Sequence, residues 1–241
     1  MSQRKYQKAK TLIVGIIPAR GGSKGIPRKN LIEVEGKKLI VRGIELLNQT
    51  ECQKVYVSTD DREIASVSRE NGADVIDRPK ELAKDQSSTE SVLFHAVESL
   101  GLLPDDILVL HQITSPLIMG ASVNAAITLL KNDAYLNSVL SVREAHPFMW
   151  MKNNQNSWDP SGHERNFRPR RQDLGVQGIE TGGIYVMRVG ALMSQQSRFP
   201  TPTSVVKVTY LESLDIDSYE DLEVARLLVK YANKGVTKNE F

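Results

Sequence analysis

The sequence predicts an α/β protein with a doubly wound, mainly parallel sheet. Short apolar runs rich in Val and Ile alternate along the chain with longer segments whose apolar residues recur at i, i+3 and i+4 spacing. This alternation is typical of βαβ units, in which a helix crosses over the sheet between parallel strands. We expect strands near residues 12–17, 54–58, 73–76, 107–110, 138–142, 183–187 and 205–208. We expect helices over residues 39–49, 61–71, 89–100, 121–131 and 218–232.

Local signals support the ends of these helices. Asp60 and Ser218 stand where N-cap residues are expected, and Ser88 or Thr89 could cap the helix that follows them. Two glycines, Gly72 and Gly101, follow helix ends as C-caps. A chain of 241 residues can bury a sizeable core, and we expect a single domain over residues 1–241.

Composition and charge exclude several classes of protein. The 31 basic and 29 acidic residues give a net charge of +2, which argues against a protein devoted to nucleic acid. The apolar runs are too short for a membrane helix, and the first ten residues lack the apolar core of a signal peptide. We therefore expect a cytoplasmic protein. Its one cysteine, Cys52, cannot form an internal disulfide and is expected to be idle.

The regular alternation fails between about residues 143 and 180. This stretch contains both tryptophans, few aliphatic residues and no helical stripe. Irregular segments of this length inside a compact domain usually serve function or assembly. We expect an insertion there, called the arm below.

A glycine-rich loop, residues 18–30, follows the first predicted strand in the stretch IIPARGGSKGIPRKNL. Ligands of open α/β sheets bind at this edge, glycines let backbone N–H groups turn inward, and Arg and Lys bind phosphate oxygens. The stretch matches neither GxGxxG nor GxxxxGK[ST], so neither a dinucleotide fold nor a P-loop NTPase is supported. We expect a nucleoside triphosphate to bind here; the alternative is a basic surface turn. The candidate ligands are Ala19, Arg20, Gly21, Ser23 and Lys24.

This stretch is similar to the signature of the N-acylneuraminate cytidylyltransferases, and further similar segments cover nearly the whole chain. They read VYVSTDD, RPKELAKDQSSTES, LHQITSPLIMG, RPRRQD, ETGGIYV and LDIDSYEDL. The resemblance implies a nucleotide-diphospho-sugar transferase-like fold in which the small insertion serves dimerisation. It also implies an Mg²⁺-dependent reaction in which the anomeric hydroxyl of a nine-carbon 2-keto sugar acid attacks the α-phosphorus of CTP, giving a CMP-sugar and pyrophosphate.

Two carboxylates of LDIDSYEDL are candidate metal ligands. Asp215 and Asp217 are two residues apart in a short extended segment, so both side chains point to one side. Oxygen ligands of this kind suit Mg²⁺, with the triphosphate completing its shell. The alternative is that one of them caps the helix beginning near Ser218. The resemblance favours the metal and implies that these aspartates act in catalysis with Arg20 and Lys24.

The resemblance also assigns residues around the nucleotide and the sugar. Asn30 and Arg78 match positions near the cytosine base, and Ser87 matches a serine of the nucleotide and sugar site. Gln112, after the fourth predicted strand, matches a glutamine that contacts the sugar. Each could instead serve only the fold: the polar residues before Pro116 could simply close a turn.

A second basic cluster, RPRRQD, is suited to a carboxylate-bearing substrate. Arginine offers a planar bidentate donor to a carboxylate, which lysine does not. Arg170, Arg171 and Gln172 are therefore the candidates for binding the sugar acid, and a solvated basic loop is the alternative. Thr181 stands where the family commonly has Asn, and Ile118 where it usually has Arg, so both could alter the choice of sugar.

The expected partners are CTP, a sialic-acid-like sugar and a second copy of the chain. A related acid of the legionaminic, pseudaminic, KDN or KDO type is the alternative substrate. The base that deprotonates the sugar hydroxyl has two candidates, a metal-bound hydroxide and an aspartate carboxylate. None of the four histidines shows metal spacing, so we assign none a catalytic role.

Overall fold

The computed structural model describes residues 11–23 and 25–233. The strands are β1 (Ile13–Pro18), β2 (Glu33–Val34), β3 (Lys37–Lys38), β4 (Lys54–Thr59), β5 (Asp74–Asp77), β6 (Ile107–His111), β7 (Ser138–Glu144), β8 (Met149–Lys152), β9 (Trp158–Ser161), β10 (Gly178–Arg188) and β11 (Thr203–Lys207). The helices are α1 (Leu39–Asn48), α2 (Arg62–Glu70), α3 (Thr89–Leu100), α4 (Gly120–Asn132), α5 (Val189–Gln195) and α6 (Tyr219–Asn233).

Seven of these strands form one sheet in the order β11-β7-β10-β6-β1-β4-β5. β1 pairs in parallel with β4 and β6, β4 with β5, and β7 with β11. Within this sheet only β10 runs antiparallel, against both β6 and β7. The predicted doubly wound, mainly parallel architecture is confirmed, and each of the seven predicted strands is present.

Alternate residues of the central strands supply two apolar cores, one on each face of the sheet. On one face, Ile13 and Ile17 pack with α1, α2, α4 and α6. On the other face, Val14 and Ile16 pack with α3 and α5. Successive side chains of a strand point to opposite faces, so one short apolar run serves both cores. The sheet is thereby fixed from both sides, and its carboxyl edge becomes a rigid platform for loops.

The helix ends agree with the predictions except at α2. Asp61, and not Asp60, caps this helix by accepting hydrogen bonds from the backbone N–H of Glu63 and Ile64. The side chain of Asp60 instead contacts the glycine-rich loop, as described below. At α3, Ser88 accepts from the N–H of Ser91, and Gly101 ends the helix in the left-handed region at φ 60°.

Three elements were not predicted. The short helix α5 has seven residues, too few for a periodic pattern, and β2–β3 is a hairpin of two-residue strands. The third is inside the arm, where β8 and β9 pair as an antiparallel hairpin separate from the main sheet. All four residues of β8 are exposed, so the arm lacked the alternation from which a strand is predicted.

No helix in residues 11–23 and 25–233 combines the length and apolar character that crossing a membrane requires. Cys52 is a free, partly buried thiol, and burial raises its pKa, which fits the expected idle cysteine.

Candidate active site

A pocket of about 260 Å³ opens at the carboxyl ends of β1 and β5. It is called the main pocket below. Five side chains predicted to bind the nucleotide line it: Arg20, Ser23, Asn30, Arg78 and Ser87. Ala19 is buried, and Lys24 lies outside the described residues. The carboxyl ends of β1 and β5 thus bring together residues that are far apart in sequence.

One exposed and one partly buried hydrogen bond hold the glycine-rich loop over the sheet edge. The backbone N–H of Gly21 donates to Oδ1 of Asp60 at 3.0 Å, and Nδ2 of Asn30 donates to the carbonyl oxygen of Arg20 at 2.8 Å. A Cβ at Gly21 would stand 2.8 Å from Oδ2 of Asp61, so a larger residue would push the loop off α2. These contacts anchor the loop near its beginning and at its end.

The loop arginines have different partners. Arg20 faces the main pocket and pairs with Asp85 across it, at 2.9 Å between Nη1 and Oδ1. Arg28 points instead toward α2, where its guanidinium contacts Asp61 at 3.3 Å and Glu63 at 2.6 Å. Only Arg20 of this pair is placed to meet a ligand in the pocket.

Arg78 combines a structural anchor with a place in the pocket wall. Its Nε donates to Oγ of Ser58 at 3.1 Å and its Nη2 to the Ser58 carbonyl oxygen at 2.5 Å. Burial lowers the pKa of Arg78 to about 10, with the charge of Arg20 acting in the same direction and that of Asp60 opposing it. At neutral pH the guanidinium therefore stays charged, a fixed cation at the base of the pocket.

The two serines before α3 have different roles. Ser88 caps the helix, as one of the alternatives predicted. Ser87 lines the main pocket and donates its hydroxyl to the carbonyl oxygen of Glu81 at 3.0 Å.

The acidic segment, residues 214–218, lies against the glycine-rich loop. Nζ of Lys29 donates to the carbonyl oxygen of Ile216 at 2.7 Å and contacts Oδ1 of Asp217 at 3.3 Å. A Cβ at Gly25 would lie only 2.6 Å from the Asp217 carbonyl oxygen. Lys29 also lines the main pocket. This lysine therefore joins the pocket to the two predicted metal ligands.

The two aspartates differ in environment. The side chain of Asp217 is 79% exposed, whereas Asp215 is half-buried. Burial raises the pKa of Asp215, and the charge of Asp217 adds to the rise, while a hydrogen bond from Thr114 and the charge of Lys29 oppose it. Among the described residues, Oδ1 of Asp215 is buried and has no hydrogen-bond partner.

Neither aspartate side chain is used to cap α6. Oγ of Ser218 accepts from the N–H of Asp221 at 3.2 Å, and Oδ2 of Asp221 accepts from the N–H of Ser218 at 2.8 Å. This reciprocal capping box satisfies the start of the helix. Ser218 is thus the cap that the sequence predicted, and the aspartates remain available to a ligand.

The site has a donor set that fits a divalent cation held partly by its substrate. The described residues contain no cluster of three or more His, Cys, Asp or Glu side chains that could hold a metal. Asp215 offers an oxygen without a hydrogen-bond partner, and Asp217 offers an exposed carboxylate two residues away. Mg²⁺ commonly takes one or two carboxylates and completes its shell with waters and phosphate oxygens. These two residues therefore fit Mg²⁺.

Gln112 lies beside Asp215. A Cβ at Gly182 would stand 3.1 Å from Oε1 of Gln112 and 3.9 Å from Oδ2 of Asp215, and Gly182 has φ +74°. A glycine is favoured here by both the backbone angle and the close approach. The predicted sugar contact and the predicted metal ligand therefore flank one backbone position.

The two departures from the family pattern are both buried. The hydroxyl of Thr181 bonds Oγ of Ser141 at 2.7 Å. Ile118 belongs to the apolar core, and a Cβ at Gly183 would lie 2.7 Å from its Cδ1. Where the family usually has a cation, this chain has an apolar packing contact. A second pocket, of about 270 Å³, is lined by Thr181, Asp215 and Arg143 among others.

Two of the predicted sugar-binding residues of the arm, Arg170 and Gln172, line neither of these two pockets. Arg170 is exposed and pairs with its neighbour Asp173, at 2.7 Å from Nε to Oδ2. This contact raises the pKa of Arg170. A short 3-10 helix, Arg171–Asp173, follows Arg170.

Three residues of the site were not singled out from the sequence. Lys29 stands in the predicted loop, but its role depends on a contact with a segment 187 residues away. Asp60 was mistaken for a helix cap, and Asp85 is one acidic residue among many. A search for acidic residues following the ends of β4 and β5 could have found the last two.

Comparisons with known proteins identify the family of this chain. Residues 14–233 match the family described as "Cytidylyltransferase". The chain is 32% identical over 221 residues to "Pseudaminic acid cytidylyltransferase" of Campylobacter jejuni subsp. jejuni serotype O:2, covering 89% of this chain and 95% of the relative. It is 33% identical over 219 residues to "N-acylneuraminate cytidylyltransferase B" of Danio rerio, covering 87% of this chain and 49% of that protein.

Solved structures support the fold. A structure described as CMP:2-keto-3-deoxy-manno-octonic acid synthetase complexed with CTP has a TM-score of 0.68 at 22% identity, covering 92% of this chain and 100% of that one. The 4-diphosphocytidyl-2C-methyl-D-erythritol synthase of Anaerococcus prevotii has a TM-score of 0.63 at 15% identity, covering 91% and 99%. Because the family match spans nearly all of the described residues, the chain belongs to the cytidylyltransferase family.

Proposed function

We propose that this cytidylyltransferase activates a nine-carbon 2-keto sugar acid of the N-acylneuraminate type with CTP. The observation that carries the proposal is the main pocket, where Arg20, Ser23 and Arg78 converge and Lys29 links them to the acidic segment. A cationic pocket at the carboxyl edge of a parallel sheet suits a nucleoside triphosphate. The resemblance of the sequence motifs supports the sugar acid.

In the proposed reaction the anomeric hydroxyl oxygen attacks the α-phosphorus of CTP. A phosphorus–oxygen bond to the sugar forms, the bond to the β-phosphate bridging oxygen breaks, and pyrophosphate leaves while the hydroxyl proton passes to a base. Arg20, Ser23 and Lys24 bind the triphosphate and oppose its charge. Positioning and electrostatics carry such transfers, so no covalent enzyme intermediate is needed.

We propose that Asp215 and Asp217 hold Mg²⁺. When bound, the ion would polarise the phosphoryl oxygen and stabilise the leaving pyrophosphate. Lys29 holds Asp217 and the Ile216 carbonyl group in place beside the main pocket. Its side chain is only 14% exposed, so its charge is screened less by solvent than that of a surface lysine.

A second candidate substrate is an acid of the pseudaminic type. The Campylobacter relative of that name is as similar to this chain as the Danio N-acylneuraminate enzyme. The buried Thr181 and Ile118 also depart from the pattern of the N-acylneuraminate enzymes. The arm residues Arg170, Arg171 and Gln172 remain the proposed ligands of the sugar acid, acting from a partner copy.

The function is tested by pyrophosphate release with CTP or UTP against a panel of 2-keto sugar acids. We expect CTP to be preferred strongly, because a site that hydrogen-bonds the exocyclic amino group rejects an analogue lacking it. Turnover of an N-acylneuraminate supports the first candidate, and turnover of only a pseudaminic-type acid supports the second. Equal use of UTP would contradict cytidylyl transfer.

The cations of the glycine-rich loop should matter for CTP. Arg20→Ala and Lys24→Ala should each cost about 2–4 kcal/mol in kcat/KM for CTP, similar to the loss of one preorganised donor. Lys54→Ala is the control, because Lys54 lies at the amino end of β4, the opposite edge of the sheet. Steady-state kinetics measure the effect, and full activity of both loop variants would remove the loop from the site.

Replacement of both acidic-segment aspartates by Asn separates metal binding from helix capping. Because Ser218 and Asp221 cap α6, the double variant should fold with this helix intact. Its pyrophosphate release should fall by on the order of 10³-fold, and added Mg²⁺ should restore part of it through mass action. Near-normal activity at ordinary Mg²⁺ would refute the metal assignment.

Asp215→Asn alone should stabilise the metal-free protein at neutral pH. Burial raises the pKa of Asp215 above its ordinary value of 3.8. The stabilisation from its bound proton is therefore complete below pH 3.8 and is lost as the pH rises through the folded-state pKa. Asn does not ionise. In the presence of a chelator, the melting temperature of the Asp215→Asn variant should therefore exceed that of the wild type at pH 7, and the two should converge toward pH 4.

Thermal unfolding across that pH range measures the difference, with Asp105→Asn as the control because Asp105 is exposed. A wild-type protein that is more stable than the Asp215 variant at pH 7 without metal would contradict the burial argument.

We propose that the arm forms a homodimer interface. Met149 and Met151 are 55% and 60% exposed on one face of the β8–β9 hairpin, Trp158 is 56% exposed on the other face, and the hairpin pairs with no other strand of the described chain. Isolated two-stranded hairpins are marginally stable, and contiguous exposed apolar surface usually marks an interface. Aromatic and cationic contacts, such as Arg165 over Trp150 at 5.3 Å, stiffen the arm without covering it.

Met151→Glu should therefore shift the protein from dimer to monomer at micromolar concentration, since it places a charge in the apolar face. Tyr135→Glu is the matched control, because Tyr135 is 76% exposed and lies in the turn after α4. Light scattering measures the mass. A monomeric wild type with normal activity would refute the interface.

A further inference from the structure

A buried carboxylate lies just before the acidic segment. Glu212 is 2% exposed and accepts four hydrogen bonds. Its Oε1 accepts from the backbone N–H of Met119 at 3.2 Å and from Oγ of Ser122 at 2.6 Å. Its Oε2 accepts from the backbone N–H and from Oγ1 of Thr209, both at 3.0 Å. All four donors are neutral groups.

These bonds join two parts of the chain that both serve the candidate active site. Thr209 opens the turn that leads from β11 into the acidic segment. Met119 and Ser122 begin α4, directly after the loop that carries Gln112 and Thr114. Glu212 therefore holds the turn that leads into the acidic segment against the start of α4, where the loop that carries Gln112 and Thr114 ends.

Other contacts also hold the chain upstream of Asp215, among them the packing of Leu214 against the apolar core. The N–H of Val208 donates to the carbonyl oxygen of Val142, and beyond that β11 ladder the chain leaves the sheet. Downstream, the N–H of Ile216 donates to the carbonyl oxygen of Thr114 at 2.9 Å. Asp215 is thus held directly by Thr114 and through the backbone by Ile216, and the turn that Glu212 holds in place lies on its other side.

We infer that Glu212 is a positioning residue that orients Asp215 for its divalent cation. The inference rests on the proposed function, because it takes Asp215 as a metal ligand. A buried group that accepts on both oxygens tolerates little displacement, since any movement lengthens bonds to two separate segments at once. Groups that hydrogen-bond directly to a metal ligand commonly affect metal affinity about 10–100-fold when replaced, and Glu212, which acts through the backbone, should act at the lower end of that range.

The test compares Glu212→Gln with a carboxylate that has the same kind of structural role elsewhere. An amide accepts on one oxygen only, and its NH₂ would face N–H or O–H donors. Asp106→Asn is the matched control: Asp106 is 6% exposed and accepts from the N–H of Leu12 at 2.9 Å and of Leu103 at 2.8 Å, at the opposite edge of the sheet. Both variants should lose thermal stability.

The decisive measurement is Mn²⁺ binding to the protein in the presence of CTP and without sugar, monitored through the electron paramagnetic resonance signal of the free ion. Glu212→Gln should raise the Mn²⁺ dissociation constant about 10-fold, whereas Asp106→Asn should leave it within about twofold. The Mg²⁺ concentration for half-maximal pyrophosphate release should move in parallel, with kcat at saturating Mg²⁺ changed by less than about threefold.

Asp215→Asn is measured alongside to separate the two possible failures. If it leaves Mn²⁺ binding unchanged, the metal assignment of the proposed function is wrong. If it weakens Mn²⁺ binding but Glu212→Gln weakens it no more than Asp106→Asn does, Glu212 serves stability alone and the inference is overturned. Should Glu212→Gln not fold, Ser122→Ala removes one of the four donors and should still weaken Mn²⁺ binding about threefold or more; a change no larger than the twofold allowed for Asp106→Asn also overturns the inference.

Discussion

The contact of Lys29 with the acidic segment is the interaction on which the candidate site depends. The lysine amine lies between the carbonyl oxygen of Ile216 and the carboxylate of Asp217, and it is mostly removed from solvent. It joins the first loop of the chain to the segment before the last helix. Without a cation there, the exposed carboxylate of Asp217 would stand beside the half-buried carboxylate of Asp215 with less to offset their repulsion. The close approach of Gly25 to the Asp217 backbone shows how tightly the two segments are held together.

The reversed strand β10 supplies the other constraint. Because it runs antiparallel, its first half extends past the carboxyl end of β6, where Ile184 pairs with His111. Its register against β7 shifts between Glu180 and Tyr185, and Gly182 takes a positive φ within that irregularity. Bulges of this kind re-aim side chains at the edges of sheets and next to active sites. Here the irregular backbone lies between Gln112 and Asp215, so a strand that interrupts the parallel order also shapes the edge where the ligands are expected.

The sequence was sufficient for the features that depend on local chemistry. Short apolar runs that alternate with helical segments located all seven strands of the main sheet, and the glycine and serine positions located most helix ends. The features that were missed depend on contacts between distant residues or on burial. Asp60 and Asp61 are equally good caps by type, and only the fold shows that Asp60 instead receives the N–H of Gly21. The arm hairpin was hidden because its exposed faces carry no alternation, and α5 because seven residues give no period.

The charges of the site include an ion pair that a ligand can exchange and a carboxylate with one oxygen that accepts no hydrogen bond from the described residues. Arg20 is paired with Asp85 across the main pocket, so a triphosphate that binds Arg20 must compete with this carboxylate. Both partners are partly solvated, so the pair is weak enough to be exchanged for a ligand of higher charge. Asp215 has the opposite problem, because burial raises its pKa and leaves one oxygen without a hydrogen-bond donor among the described residues. A nucleotide that arrives with its divalent cation brings an anion for the arginine and a cation for the aspartate. The exchangeable Arg20–Asp85 pair and the buried oxygen of Asp215 are therefore complementary to the phosphates and the cation of the proposed metal–nucleotide complex.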